Sequence, residues 1–94
     1  CLIMGAVSEY DSRPGPLRDA VVEAMRHWRE ATARAVSLAI ETGELREDTD
    51  ASQIAFEIFG VALALHQDTR LFEARRARAQ AEKAIDRLFK SHST

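Results

Sequence analysis

Apolar positions recur through this chain at the spacing of helices, and one stretch carries more of them than a single face can hold. Residues Ile54 to Leu65 read Ile-Ala-Phe-Glu-Ile-Phe-Gly-Val-Ala-Leu-Ala-Leu. At about 100° per residue, Ile58, Val61, Ala62 and Leu65 fall on one face. Phe56, Phe59 and Leu63 fall on a second, turned well away from the first. Only a narrow arc through Glu57, Ala64 and Asp68 reads as wettable. A helix apolar on two sides must be covered on two sides. Its own chain can supply one cover, and a second copy is the expected source of the other.

The same periodicity marks the remaining elements. Cys1 to Glu9 or Tyr10 reads as the tail of an apolar helix, broken by Asp11-Ser12-Arg13-Pro14-Gly15-Pro16. Proline is excluded from helix interiors but suits a first helical position, so Pro16 is placed to open the next helix. That helix is long, Leu17 to Thr42. Leu17, Val21, Ala24, Trp28, Ala31, Ala35, Leu38 and Ala39 are read as its apolar face. Asp19, Glu23, Arg26, Glu30, Arg34 and Glu41 are placed opposite. Gly43 is expected as the left-handed residue that ends it. Glu44 to Thr49 makes a polar loop with one apolar peg, Leu45.

Asp50 followed by Gln53 is a capping pattern, opening a helix from Ala51 to about Arg70 or Leu71. A turn near Glu73 and Ala74 leads to a last helix from Arg75 to about Lys90. Its apolar stripe is Ala77, Ala81, Ala84, Ile85, Leu88 and Phe89, and Ser91 to Thr94 are expected to fray. The fold class is therefore all-α, a helical bundle with a long central helix and two C-terminal helices.

With 94 residues there is room for one domain. A chain of this size buries only about 60–65% of its unfolded surface, which again favours association. The sequence is hydrophobic from its first residues, Cys1-Leu2-Ile3-Met4, so it is expected to begin inside a helix with further sequence upstream. A net charge of −2 does not suggest a nucleic-acid surface. The locally basic run Arg70 to Arg78 reads as a solvated helix start. A single cysteine, Cys1, provides no disulfide framework and fits a reducing, cytoplasmic setting. No run approaches the ~20 apolar residues that span a bilayer, so no membrane partner is expected.

Candidate chemistry is sparse. His27 lies on the charged face of the long helix and His92 in the tail. His66 borders the second apolar face and reads as an interface histidine. No Glu-x-x-His pairs on facing helices suggest a metal site. No nucleophile elbow surrounds Ser8, Ser12, Ser37 or Ser52, and the four glycines form no phosphate loop. The sequence thus predicts no enzyme activity, no catalytic residue, no metal and no cofactor. Met25, Trp28, Ile58 and Phe59 are candidates to line a small-molecule cavity. Gly60 and Ala64 would let a neighbouring backbone come close.

The order of segments resembles the C-terminal domain of TetR-family transcriptional regulators. The resemblance rests on Arg13-Pro14-Gly15-Pro16, Gly43-Glu44-Leu45, Ala55-Phe56-Glu57-Ile58-Phe59-Gly60 and Ala84-Ile85-Asp86-Arg87-Leu88. It implies a homodimer built through a four-helix interface of the last two helices. It also implies a small apolar or amphipathic effector bound among the middle helices. Operator DNA would be read only by an N-terminal helix-turn-helix domain outside residues 1–94. On this reading Phe56, Gly60, Leu63, Gln67, Ala77, Ala81, Ala84 and Leu88 are the expected dimer seam. The alternative is a structural helical module packing against another domain of a longer chain. A helical-bundle metalloenzyme fragment is a third reading, and it requires a bound metal.

Overall fold

The computed structural model describes residues 15–94. The apolar tail at Cys1–Tyr10 and the breaker up to Pro14 lie outside the described residues. Three helices follow: α1 (Pro16–Glu41), α2 (Ala51–Leu71) and α3 (Ala74–His92). No described residue belongs to an extended sheet strand, and the domain is all-α.

Local chemistry sets the helix ends. Pro16 occupies the first position of α1, where its missing N–H has no partner to lose. Gly43 adopts φ 85°, a conformation that costs other residues but not glycine. Its N–H donates to the Ile40 carbonyl at 3.1 Å, and that of Glu44 donates to Ala39 at 3.0 Å. These two bonds form a Schellman closure and satisfy carbonyls that the end of a helix otherwise leaves open. At the start of α2 the Asp50 carboxylate accepts from the Gln53 N–H at 3.2 Å, as the capping pattern predicts.

α2 lies in the middle, packed against both α1 and α3, while α1 and α3 barely meet. The result is a single layer of helices, 43 × 32 × 14 Å along its principal axes. Its radius of gyration is 15.0 Å, against about 12 Å for a compact chain of this length. Domains ordinarily stack two layers around a core. A slab one helix thick leaves both broad faces open.

The core is correspondingly small and sits at one end. Val36 of α1, Leu45 of the loop and Ile54 of α2 form its centre, and Leu88 and Phe89 of α3 pack onto it. Ile54 is 1% exposed. Leu45 works as the apolar peg, tying the α1–α2 loop to all three helices. The opposite end is open, with Leu17, Leu71 and Phe72 largely exposed.

Two expectations are corrected. Ser91–Thr94 do not fray. The Arg46 N–H donates to the His92 carbonyl at 2.9 Å, and Leu45 forms an isolated bridge with Ser93. The Thr94 hydroxyl donates to the Gly43 carbonyl at 2.8 Å, and the Arg46 guanidinium donates to the Ser91 carbonyl at 3.0 Å. Burying Leu45 brings the loop backbone beside the end of α3, and the polar groups of both satisfy each other there. The second correction concerns the inward face of α1. Leu17, Ala31, Ala35 and Leu38 are exposed, while Val36 is buried and Val22, Met25, Ala33 and Ile40 are partly covered. The helix is turned by about one residue, roughly 100°, from the face the alanines trace. Burying the larger Val36, Met25 and Ile40 removes more apolar area than burying alanines.

Candidate functional site

Of the second apolar face of α2, Phe56 and Leu63 remain open, while Phe59 is half-buried against Trp28 of α1. Phe56, Gly60, Leu63 and Gln67 recur at i, i+4, i+7 and i+11, so they stand on one line along the helix. All four are exposed. Phe56 retains 54% of its surface and Leu63 36%. A Cβ built on Gly60 meets no atom within 4 Å beyond its own helix turns, so no other described residue of the chain approaches it. The apolar residues on the other side of α2 are spent on intrachain packing.

The remaining seam candidates are placed differently. Ala77 is buried, and Ala81 and Ala84 are partly covered. With Val61, Ala64, Leu65 and Asp68 of α2 they wall a crevice of about 110 Å³. Ala64 and Asp68, expected on a wettable arc, therefore face α3. Leu88 packs against the core. The alanines of α3 serve close approach to α2 within one chain, rather than standing beside Phe56 on the open stripe.

A groove of about 510 Å³ runs along α1 toward the start of α2. Val21, Val22, Met25, Ala33 and Ala55 give it an apolar floor, and Arg18, Arg26, Arg29 and Glu30 stand at its edge. Its volume falls within the range of about 300–1,000 Å³ usual for small-molecule sites. Arg26 also pairs with Glu23 at 3.0 Å, both side chains well exposed, which holds it weakly.

Of the four candidate cavity residues, Met25 lines this groove. Trp28 and Phe59 instead meet edge to face, with centroids 5.8 Å apart and planes at 63°. Ile58 packs on the core. The four are not gathered around this groove. Sequence reasoning missed Arg29, whose guanidinium carbon lies 5.3 Å from the Phe56 ring centre and 5.0 Å from that of Phe59. These are cation–π distances. Spacing alone does not single it out: Arg29 falls four residues from both Met25 and Ala33, on an inward face that only the position of α2 reveals. His66, on α2, is held below the ordinary imidazole range, first by desolvation and then by positive charge that includes Arg70. It is mainly neutral near pH 7.

A family model described as the C-terminal domain of tetracyclin repressor-like proteins matches residues 1–85. The chain belongs to this family. Among curated proteins no relative matches it. As a tetracyclin repressor-like C-terminal domain, the molecule belongs to a family of regulatory modules. Among the described residues no helix is long and apolar enough to cross a membrane, and no three candidate ligands cluster as a metal site. Among the described residues, the open stripe of α2 and the groove of α1 are two surfaces on which such a domain can act.

Proposed function

We propose that this tetracyclin repressor-like domain is the homodimerisation and small-molecule-sensing part of a cytoplasmic transcriptional regulator. Its DNA-binding segment lies elsewhere in the same polypeptide. The observation that carries the reading is the line Phe56, Gly60, Leu63 and Gln67, apolar at its centre and uncovered in a slab one helix thick. A second copy placed on that line by a two-fold axis covers both chains with the same residues. It also supplies the second layer that each slab lacks. The packing of Ala77, Ala81 and Ala84 against α2 brings α3 alongside, so that α2 and α3 of each copy meet their mates as four helices. A small apolar or amphipathic effector in the α1 groove changes DNA binding only if it prefers one arrangement of the dimer over another.

Sedimentation equilibrium at micromolar concentrations tests the association, and a dimer is expected. A monomer throughout the high micromolar range overturns it and favours the alternative, a module packed on another domain of its own chain. Gly60→Ala sharpens the result. On an uncovered helix the change stabilises by up to about 1 kcal/mol, since alanine is the better helix former. Against a close partner backbone the added methyl group weakens the dimer at least severalfold, which is the expected outcome. A dimer of unchanged affinity would move the seam off Gly60.

A further inference from the structure

We infer that a second copy docks antiparallel on the open stripe of α2, with the arginine-rich α2–α3 turn of each protomer against the acidic α1–α2 loop of its partner. The inference rests on the dimer proposed above and adds its orientation and its response to salt. The two ends of α2 carry opposite charge. Before it, residues 41–50 hold the carboxylates of Glu41, Glu44, Glu47, Asp48 and Asp50 and one guanidinium, Arg46. After it, residues 70–78 hold the guanidiniums of Arg70, Arg75, Arg76 and Arg78 and one carboxylate, Glu73. All of these side chains belong to exposed residues. Compensation within the chain is slight. Arg46 lies 3.5 Å from Asp48, and Asp50 caps α2. Among the described residues no ion pair engages Glu41, Glu44 or Glu47, nor any of the four arginines of the turn. The flanking charges alter the balance little. Arg18 and Asp19 offset each other at the start of α1, Asp68 removes one positive charge at the end of α2, and Asp86 offsets one of Arg87 and Lys90 in α3.

A two-fold axis between copies laid face to face either keeps the direction of α2 or reverses it. Kept, each acidic loop meets the other acidic loop and each arginine turn the other turn. Reversed, opposite signs meet twice, so charge selects the antiparallel form. The stripe fits that form. Val61, the midpoint of α2, lies between Gly60 and Leu63. An axis there sets each end of one helix beside the opposite end of its mate, roughly 15 Å along the helix from the crossing point. At the crossing of about 20° common in four-helix bundles, this adds only about 5 Å of sideways separation, which an arginine side chain spans. The same arrangement gives cover to Leu71 and Phe72, which stand exposed in the turn.

Sedimentation equilibrium of the whole chain at several sodium chloride concentrations tests the orientation. The dimer dissociation constant is expected to rise at least tenfold between about 0.02 M and about 0.5 M salt, as the Debye length falls from about 20 Å to about 4 Å. Like ends held together, or the net charge of −2 acting alone, give the opposite sign, because salt then relieves repulsion. A constant that stays level or falls with salt overturns the inference and leaves the dimer standing. A chain monomeric at every salt concentration loses both. Charge reversal locates the contact. Arg75→Glu with Arg76→Glu is expected to weaken the dimer at least tenfold at low salt, and so is Glu44→Lys with Glu47→Lys. All four changes in one chain exchange the signs of the two ends and are expected to bring the constant back to within about threefold of the unaltered chain. Losses that simply add in the fourfold variant overturn the pairing. Arg75 and Arg76 lie in the first turn of α3, where carboxylates suit the helix dipole, so that variant is expected to keep its helical signal. If a variant fails to fold, the salt response of the unaltered chain still decides.

Discussion

Leu45→Ala is expected to destabilise the domain by about 2–5 kcal/mol, the usual cost of removing most of a buried leucine side chain. Few loop residues carry such an effect. Leu45 is 4% exposed and stands between Val36, Ile54 and the end of α3, so the change opens a cavity where all three helices meet. It also loosens the backbone bonds that join residues 43–46 to residues 91–94. Total stabilities are commonly about 5–15 kcal/mol, and a domain with so small a core falls toward the lower bound. Urea unfolding followed by circular dichroism measures the loss as a lower midpoint. Leu38→Ala is the matched control. Leu38 is 59% exposed, and its removal is expected to change stability by no more than about 0.5 kcal/mol. Equal effects at the two positions would show that the loop is not part of the core.

Leu63→Glu is expected to convert the dimer to monomers while leaving each protomer folded. Leu63 is near the middle of the open stripe and is not part of the intrachain core. A glutamate there meets water in the monomer and an apolar partner in the dimer. Burying an unpaired carboxylate is expensive, and the two-fold arrangement places two of them together. An increase of at least 100-fold in the dissociation constant, about 2.7 kcal/mol, is a conservative expectation. Sedimentation reads the association, and the helical circular dichroism signal should stay within error of the unaltered chain. A Leu63→Glu protein that dimerises normally places the seam elsewhere. One that loses its helical signal shows that Leu63 supports its own fold.

The two substitutions separate what the sequence makes legible from what it does not. Helix ends were readable because the chemistry that sets them is local. Pro16 at a first helical position, Gly43 at positive φ and Asp50 with Gln53 each act within four residues. The stripe of Phe56, Gly60, Leu63 and Gln67 was readable because periodicity alone groups them. The inward face of α1 was not. Its alanines trace one line and its larger residues another, about 100° away, and only the position of α2 selects between them. The pinned tail was equally hidden, since the Arg46–Ser91 and Gly43–Thr94 bonds join residues 45 and 51 positions apart. Arg29 escaped notice for a related reason. A charged residue reads as solvent-facing until the rings of Phe56 and Phe59 are seen beneath it. The groove required two helices to be set side by side, which no single-helix pattern encodes.

The lopsided placement of the core has a mechanical corollary. α1 is gripped at its C-terminal end, around Val36, and from there extends back some 20 residues, roughly 30 Å at 1.5 Å per residue. Such a rod behaves as a lever with its fulcrum beside Ile54. A slight tilt at the fulcrum becomes a wider displacement at Pro16, tempered part-way along the arm where Trp28 meets Phe59.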